Sequence, residues 1–428
     1  MLLCFSGRLR RATVFRPGQS VRKVIGRRRM NVTWALSRNP DSYEAGLEIG
    51  ERLKTGQPEQ VILFSSIHYD FPEFFEALYS VLPKSSTRLF GGTADGVYSP
   101  EGVFDCGISA IGINSGGKIG WHPAISCGVP EAGDPAPAAA DIDPTALPAT
   151  RAKRSVTLAQ AASGVPLVVG LLLADFQNDG VAVCEAAWQA AQCPLIGGLT
   201  GDDWKFERGY VFLDGEVYRD AVGFLGLSGD LAFDCHTASG WKAIGSYGMV
   251  QAASGNVVSR IDDLTAYAFV EREFGIPPAD AELGVLTLMA FTDDSRMRYF
   301  LRTPSKIDLA SGAMTLFGSI RPGTTVRVCN ATRADVLEGI DAIAATLHQP
   351  GFVPKAAIVV SCGGRKWLLQ KEISQEVSRL QAVFGPELPI TGFSSFGEIG
   401  PYKLGNGQWS QPWFHNVSVV VFLIGERA

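Results

Sequence analysis

Two polar stretches in the last fifth of the chain carry residue types that could bind a ligand or do chemistry. The first follows a short apolar run and reads Ser361-Cys362-Gly363-Gly364-Arg365. If a helix begins at these glycines, its free backbone N–H groups favour an anion. Arg365 could pair with a carboxylate through two parallel hydrogen bonds, or could be a solvated arginine. Cys362 could be a thiol activated at a helix start, or an inert buried cysteine.

The second stretch lies around a glycine turn and adds an acid, two hydroxyl groups and an imidazole. It contains Ser394, Ser395 and Glu398, and His415-Asn416 precede the last apolar run of the chain. Glu398 could bind the ammonium group of a ligand or could cap a turn. His415 and Asn416 could hydrogen-bond a ligand or could close the loop before the strand.

These residue types leave two function classes open. One is a small-ligand binding protein without catalytic activity. The other is a hydrolase or transferase in which Cys362 or Ser361 is the nucleophile, His415 the base and Glu398 the orienting acid. Against the enzyme, the chain contains no G-x-S-x-G nucleophile elbow.

The elements that must position these residues recur three times, at residues 61–113, 167–227 and 356–424. Each copy reads as strand, helix, strand, glycine turn, loop and strand. The turns end in an acid, which is Asp95, Asp202 or Glu398. A strand–helix–strand unit requires a parallel pair with a right-handed crossover, and the third strand can add antiparallel. The sequence therefore predicts the α/β class, with mixed sheets built from three such units and faced by helices.

The segments between the copies complete this outline. A mostly antiparallel insert is predicted over 284–328, and an Ala-, Pro- and Asp-rich linker over 123–148. The chain divides into a basic arm at 1–29 and two domains at 30–228 and 229–428. Further helices are predicted at Ser42–Lys54, Thr150–Ala162, Ile261–Phe274, Asp335–Leu347 and Trp367–Phe384.

Charge and composition limit the function classes. The 428 residues have a net charge of −5, but residues 1–29 hold nine Arg or Lys and no acid, which leaves the body at −14. An acidic body argues against nucleic-acid binding. No apolar stretch is long enough for a membrane helix. The eight cysteines form no C-x-x-C pair and the five histidines are scattered. These features predict a cytoplasmic protein with reduced thiols and with neither a metal site nor a cofactor.

The basic arm has several interpretations. Met30 follows it directly, so translation could start there. Alternatively, this Arg-rich, acid-free arm is a disordered basic tail or an organelle-targeting sequence. A secretory signal is not expected, because the arm lacks the apolar core of such a signal.

The glycine turns and the C-terminal motifs together resemble the FIST sensory domain. The resemblance covers roughly Val32 to Gly425, in an N-terminal and a C-terminal part. It implies a cytosolic ligand-sensing module of signal transduction that binds small molecules such as amino acids. The sequence shows no kinase, cyclase or receiver segment, so the sensor is expected either to stand alone or to act through a separate output protein. The motifs that carry the resemblance are Arg88-Leu89-Phe90-Gly91-Gly92, Ile196-Gly197-Gly198, Ser361 to Arg365, Gly392 to Pro401 and His415-Asn416.

The resemblance and the strand order together predict a ligand site. Ser361–Arg365 and Ser394–Glu398 end consecutive strands of one crossover unit, so parallel pairing brings them side by side. Arg365 and the glycine N–H groups would hold a carboxylate, and Glu398 would hold an ammonium group, which suits a zwitterion. The predicted ligand-binding residues are Ser361, Cys362, Gly363, Arg365, Ser394, Ser395, Glu398, His415 and Asn416.

Overall fold

The computed structural model describes residues 29–130, 140–143, 145–277, 286–293, 296 and 298–428. The predicted basic arm lies outside these residues apart from Arg29. The α/β class is confirmed: helices accompany three sheets, of which two mix parallel and antiparallel pairs, while every described pair in the sheet of residues 242–330 is antiparallel. No described helix is both long and apolar enough to span a bilayer.

The first unit begins before the first predicted copy, with an additional strand and helix. Asp41 caps the helix at residues 42–54 through a hydrogen bond from Glu44 N, so its predicted bounds are confirmed. The elements of this unit are β1 Asn31–Ser37, α1 Ser42–Lys54, β2 Gln60–Ser66, α2 Phe71–Val81, β3 Arg88–Ala94, β4 Val97–Ser99, β5 Gly102–Phe104 and β6 Ile108–Asn114.

The second unit repeats this order. The predicted linker is wrong over residues 123–130, which belong to a long strand that pairs antiparallel with the last strand of the unit. Its elements are β7 Ile119–Pro130, β8 Ala140–Ile142, α3 Pro148–Ser163, β9 Val169–Asp175, α4 Gly180–Ala191, β10 Leu195–Thr200, β11 Val211–Leu213 and β12 Glu216–Gly229.

The third unit is interrupted by an insert after its first strand. The insert consists of β14 Lys242–Ser254, β15 Val257–Ile261, β16 Leu264–Thr265, α5 Ala266–Phe274, β17 Thr287–Phe291, β18 Tyr299–Arg302, β19 Pro304–Asp308, β20 Ala313–Leu316 and β21 Thr325–Asn330. The unit itself consists of β13 Ala232–Ala238, α6 Arg333–Leu347, β22 Phe352–Cys362, α7 Gly363–Leu369, α8 Gln375–Phe384, β23 Ile390–Ser395, β24 Glu398–Gly400, β25 Trp413–His415 and β26 Val419–Arg427.

Two predicted helices differ from the structure for local reasons. The helix predicted from Ile261 begins at Ala266, because Ile261 ends a strand and Thr265 provides the cap. The helix predicted over Trp367–Phe384 is broken into α7 and α8. The break falls at Gln370, whose φ of +50° cannot continue a right-handed helix.

The strand pairing predicted for the three copies is confirmed in each unit. The parallel pairs are β2 with β3, β9 with β10, and β22 with β23. The last strand of each unit, β6, β12 or β26, adds antiparallel to the first strand of that parallel pair. The repeated sequence pattern therefore produces one repeated strand order.

The three units are joined because each contributes one strand to the sheet of another unit. Strand β11 of the second unit extends the sheet of the first at β3, and β24 of the third extends the second at β10. Strand β4 of the first unit extends the third at β23, which closes the cycle. The two predicted domains therefore complete each other's sheets. A shared core with Phe64, Ile196 and Phe393 lies between the units, and the rings of Phe64 and Phe393 stack 4.5 Å apart.

The recurring turn glycine is required by close backbone approach. Gly91, Gly197 and Gly392 lie opposite Leu63, Leu172 and Val359 in the parallel pairs. A Cβ atom on these glycines would lie 1.8, 1.8 and 2.0 Å from the carbonyl oxygen of the facing residue. Any larger side chain would push the two strands apart.

We expect Gly197→Ala to lower the free energy of unfolding by at least about 2 kcal/mol, because overpacked interiors typically cost 1–3 kcal/mol. Gly405→Ala is the matched control, since a Cβ atom there would meet no atom within 4 Å. Urea denaturation at 25 °C measures both losses. Equal stability of the two variants would contradict the assigned role of the turn glycine.

Candidate functional site

The predicted site residues lie at the ends of the parallel pair β22 and β23. Ser361 faces Ser394 and Cys362 faces Ser395 in the strand register. Because successive side chains of a strand point to opposite faces, the two serines Ser361 and Ser394 lie on one face and Cys362 with Ser395 on the other. The second pair, Cys362 and Ser395, lines a pocket.

This pocket, which we call the central pocket, has a volume of about 290 Å³. Its walls come from the loop at 202–208, the insert, and the third unit. Most of the wall is apolar or aromatic, which is typical of small-molecule sites. The lining residues are Trp204, Phe206, Thr303, Pro304, Ser305, Phe317, Cys362, Gly364, Ser395, Phe396, Asn416 and Val417.

Glu398 lies fully buried beside the central pocket and accepts hydrogen bonds from both sides. Ser395 Oγ donates to Oε1 at 2.6 Å, and Ser418 donates to Oε2 from its backbone N at 3.1 Å and from Oγ at 2.9 Å. Burial raises the pKa of Glu398 to about 7, and the donors of Ser395, Ser418 and Cys362 offset part of that rise. Glu398 can therefore gain or lose a proton near neutral pH.

Cys362 lines the central pocket, but its surroundings keep the thiol protonated. Burial is the main cause that raises its pKa well above the ordinary value, and the nearby charge of Glu398 raises it further. The thiolate is the nucleophilic form of cysteine. At neutral pH Cys362 is therefore a weak nucleophile.

His415 is buried and is not poised to act as a base. Its Nε2 atom lies 3.3 Å from the carbonyl oxygen of Gly400, and the ring of Tyr402 packs edge-on at 5.6 Å. Burial, followed by the charge of Arg302, lowers the pKa of His415 to about 3. A base with this pKa would not take a proton from Cys362 near pH 7, so the geometry does not favour the hydrolase alternative.

Asn416 reaches the central pocket while holding the insert in place. Its Oδ1 accepts from Thr303 N at 3.3 Å, and its Nδ2 donates to the carbonyl oxygen of His415 at 3.1 Å. Its amide therefore fixes the wall of the pocket.

Arg365 is wholly buried, and its guanidinium is hydrogen-bonded to groups of the protein itself. Nε and Nη2 donate to Glu376 Oε1 at 2.9 and 2.6 Å. Nη1 donates to the carbonyl oxygen of Ser239, and Nη2 also donates to that of Val336 at 3.2 Å. A ligand carboxylate would have to displace Glu376 from this pair. Arg365 is thus placed to join α6, α7 and α8.

The other predicted residues have mixed placements. The Ser394 hydroxyl is buried and has no hydrogen-bond partner in the part of the chain that the structure describes. Ser361 is buried on the same face, beside Tyr98. Gly363 lies where a Cβ atom would be 3.2 Å from both Asp95 Oδ2 and Trp204 Cζ2, so a glycine lets these side chains approach.

Asp95, from the first unit, is a buried acid whose importance the sequence pattern only hinted at. Its backbone N donates to the carbonyl oxygen of Ser394 at 3.1 Å, which ties it to the third unit. Neither carboxylate oxygen accepts a well-aligned hydrogen bond from the described residues. Burial raises the pKa of Asp95 to about 7; Lys366 and Trp204 offset part of this rise, while Asp203 and Asp105 add to it. The acids Asp95, Asp202 and Glu398 follow their turn glycines by four, five and six residues, so they are not equivalent in space.

The loop at 202–208 covers the central pocket and contributes its two exposed aromatic residues. Trp204 and Phe206 are 43% and 45% exposed, and both lie against Phe396, with ring distances of 5.6 and 4.8 Å. Asp202 holds the loop by accepting from the backbone N of Phe206, Glu207 and Arg208 at 2.6–3.0 Å. Asp203, Trp204 and Phe206 all have positive φ, a conformation that is costly for such residues and recurrent at functional sites. Trp204 and Phe206 are not among the ligand-binding residues predicted from the sequence.

The site contains no residue cluster suited to a metal. Within the described ranges, no three His, Cys, Asp or Glu side chains lie close enough together to hold an ion. The site therefore combines an aromatic-walled pocket with two buried carboxyl groups, Asp95 and Glu398, whose pKa values burial raises to about 7.

Comparison with known proteins gives two family matches. The FIST N domain matches residues 59–264, and the FIST C domain matches residues 260–401. An uncharacterized protein of Methanocaldococcus jannaschii is 30% identical over 152 residues, which cover 34% of this chain and 28% of that relative.

Solved structures give only distant likenesses. A cyanuric acid hydrolase from A. caulinodans has a TM-score of 0.32 and 10% identity, over 92% of this chain and 98% of that one. PurL of T. maritima, complexed with ATP, has a TM-score of 0.20 and 12% identity, over 93% of this chain and 72% of that one.

Proposed function

Since this chain belongs to the FIST domain family, whose domains are sensory modules of signal transduction, we propose that it senses a small amine-bearing ligand, with amino acids as the leading class. The ligand binds in the central pocket, and the protein is not an enzyme. The observation that carries the proposal is the aromatic-walled pocket over the buried carboxyl group of Glu398. A separate output protein in the cytoplasm would read the bound state.

The charges around the central pocket support an amine rather than an anion as the recognised group. Glu398 and Asp95 are buried acids beside the lining residues Ser395 and Trp204, whereas Arg365 is paired with Glu376. An ammonium group could pair with the Glu398 carboxylate, and the apolar part of the ligand could lie against Phe206, Phe396 and Phe317. The carboxylate of an amino acid would remain toward the opening of the pocket, near Ser305.

The loop at 202–208 supports a sensory role, because contact with a ligand could change which position of the loop is favoured. Trp204 and Phe206 belong at once to the wall of the pocket and to the exposed surface. A ligand that packs against these rings would favour one arrangement of the loop over others, and an output protein could bind that arrangement.

We expect phenylethylamine and L-phenylalanine to bind the wild-type protein in calorimetry at pH 7.5, and 2-phenylethanol to bind at least tenfold more weakly. Glu398→Gln should weaken both amines at least tenfold, because it removes the carboxylate beside Ser395 that is proposed to pair with the ammonium group. Glu387→Gln is the control and should bind normally, because Glu387 is an exposed acid in the turn before β23 and does not line the pocket.

The pH dependence of this binding gives an independent check. Glu398 is charged above its pKa of about 7, while an alkyl ammonium group stays charged up to higher pH. The affinity for phenylethylamine should therefore rise between pH 6 and pH 8, and the rise should be smaller in Glu398→Gln, in which Asp95 is the remaining buried acid that titrates in this range. Wild-type affinity that falls over this range, or amine binding that survives Glu398→Gln, would place the ligand elsewhere.

A further inference from the structure

A second pocket lies on the far side of the insert wall, between helix α4 and strand β18. It has a volume of about 370 Å³, in the range of small-molecule sites. Its wall is rich in aromatic rings and includes one buried cation. The residues that matter for binding are Trp188, Phe291, Phe300, Arg302, Trp413 and Phe414.

Arg302 is the cation, and the fold leaves part of its guanidinium unused. It is 2% exposed, at the end of β18. Nε donates to the carbonyl oxygen of Ser319 at 2.9 Å, and Nη1 donates to those of Leu301 and Phe414 at 3.0 and 2.8 Å. Nη2 has no acceptor among the described residues, although arginine offers two N–H groups at that atom.

No described carboxylate forms an ion pair with Arg302. Besides the three carbonyl oxygens, aromatic faces offset its charge, with the guanidinium carbon 4.2 Å from the ring centre of Phe300 and 5.6 Å from that of Phe414. Burial lowers the pKa of Arg302 to about 9, against the opposing influence of Cys184, Asp179 and Glu185. Arg302 therefore remains a cation at neutral pH.

An unpaired buried cation is costly to a fold, because the charge loses its hydration and gains no counter-ion. An uncharged side chain could donate to the same three backbone carbonyl oxygens at a much lower cost in folding free energy than Arg302. Arg302 lines a cavity whose wall combines aromatic rings with polar side chains, and its Nη2 donors have no described acceptor, which is the arrangement expected where the counter-ion is supplied by a ligand.

We propose that this second pocket binds a monoanionic carboxylate with an aromatic or other apolar body. The carboxylate pairs with Nη2 of Arg302, and the apolar body packs among the rings of Trp188, Phe291 and Trp413. Glu185, which meets Arg321 at the rim at 3.0 Å, disfavours a second negative charge on the ligand.

The experiment measures binding of 3-phenylpropionate and of its uncharged primary amide to the full-length protein at pH 7.5, by calorimetry and by tryptophan fluorescence. Trp188 and Trp413 line the pocket, so occupancy should change their emission. The carboxylate should bind at least tenfold more tightly than the amide. Arg302→Gln should remove this preference, and Glu398→Gln should leave it unchanged, which separates this site from the central pocket.

A gain-of-affinity variant protects the test against misfolding of Arg302→Gln. Glu185 is half exposed at the rim, so Glu185→Gln should fold normally and should tighten 3-phenylpropionate about threefold by removing a repelling charge. If Arg302→Gln fails to fold, the affinity of Glu185→Gln for 3-phenylpropionate decides whether the second pocket binds a carboxylate. Equal binding of acid and amide, or no effect of Glu185→Gln on the acid, would overturn the proposal.

Discussion

Arg365→Ala is expected to lower the free energy of unfolding by about 3–5 kcal/mol, the cost of leaving one partner of a buried ion pair uncompensated. Arg365 and Glu376 are both fully buried and are joined by two hydrogen bonds of 2.9 and 2.6 Å. The substitution also strands the carbonyl oxygens of Ser239 and Val336, which accept from the same guanidinium. Urea denaturation at pH 7.5 measures the loss.

Two comparisons identify the buried charge as the cause. Arg379→Ala removes an arginine that pairs with Asp341 on the exposed face of α8, and surface pairs contribute at most about 1 kcal/mol. Arg365→Met combined with Glu376→Gln removes both charges but keeps an acceptor for Tyr98, whose hydroxyl donates to Glu376 at 2.8 Å. The double variant should be more stable than Arg365→Ala. A loss in Arg365→Ala no larger than that in Arg379→Ala would mean that the pair is not structural.

This expectation differs from the one that the sequence supports, and the reason is physical. An arginine just after two glycines at a strand end is correctly positioned to meet a ligand, and nothing local distinguishes it from a buried one. Its partner Glu376 lies eleven residues away across the break at Gln370. The carbonyl oxygen of Ser239 belongs to another part of the chain. Only tertiary packing decides where the guanidinium points.

Local chemistry explains which parts of the fold could be predicted. Helix α1 has an acidic cap and an apolar stripe, so its bounds follow from the sequence. The parallel pairs follow from the apolar runs and the turn glycines, because a larger residue would collide with the facing strand. The exchange of β4, β11 and β24 could not be predicted. Each has only three residues, and its partner strand lies far along the chain.

The candidate site was predictable to the same extent. Cys362, Ser395, Glu398 and Asn416 come together around the central pocket, because they end paired strands or begin the adjoining loop. Trp204 and Phe206 come from the second unit and Asp95 from the first. The strand exchange among the three units brings them to the site. A pattern within one unit cannot reveal them.

Asp95→Asn is expected to stabilise the unliganded protein, and to do so only above acidic pH. The wild-type carboxyl group is fully buried, without a well-aligned donor, and burial raises its pKa from 3.8 to about 7. Lys366 gives partial compensation from 3.8 Å, but it lies closer to Asp105, at 2.8 Å. Asparagine fills the same space without a charge, so it avoids the desolvation cost.

The sign of the pH dependence follows from the direction of this pKa shift. Below about pH 4 the carboxyl group is protonated in both the folded and the unfolded chain, so Asp95 adds no ionisation cost. Between about pH 4 and 7 the unfolded chain releases the proton while the folded chain retains it, and wild-type stability falls as pH rises. Above pH 7 the cost is complete, and a pKa raised from 3.8 to about 7 amounts to about 4 kcal/mol at about 1.4 kcal/mol per pKa unit.

Urea denaturation at pH 4.5 and pH 8 tests this expectation with Asp105→Asn as the control. Asp105 also pairs with Lys366, but its side chain is 78% exposed, so its removal should bring no gain that grows with pH. Asp95→Asn should be within about 1 kcal/mol of wild type at pH 4.5 and more stable by about 4 kcal/mol at pH 8. A variant that is less stable than wild type at pH 8 would show that the Asp95 charge supports the fold. The expected gain would instead mark Asp95 as an acid retained at a cost to stability, as is common for residues that serve a binding site.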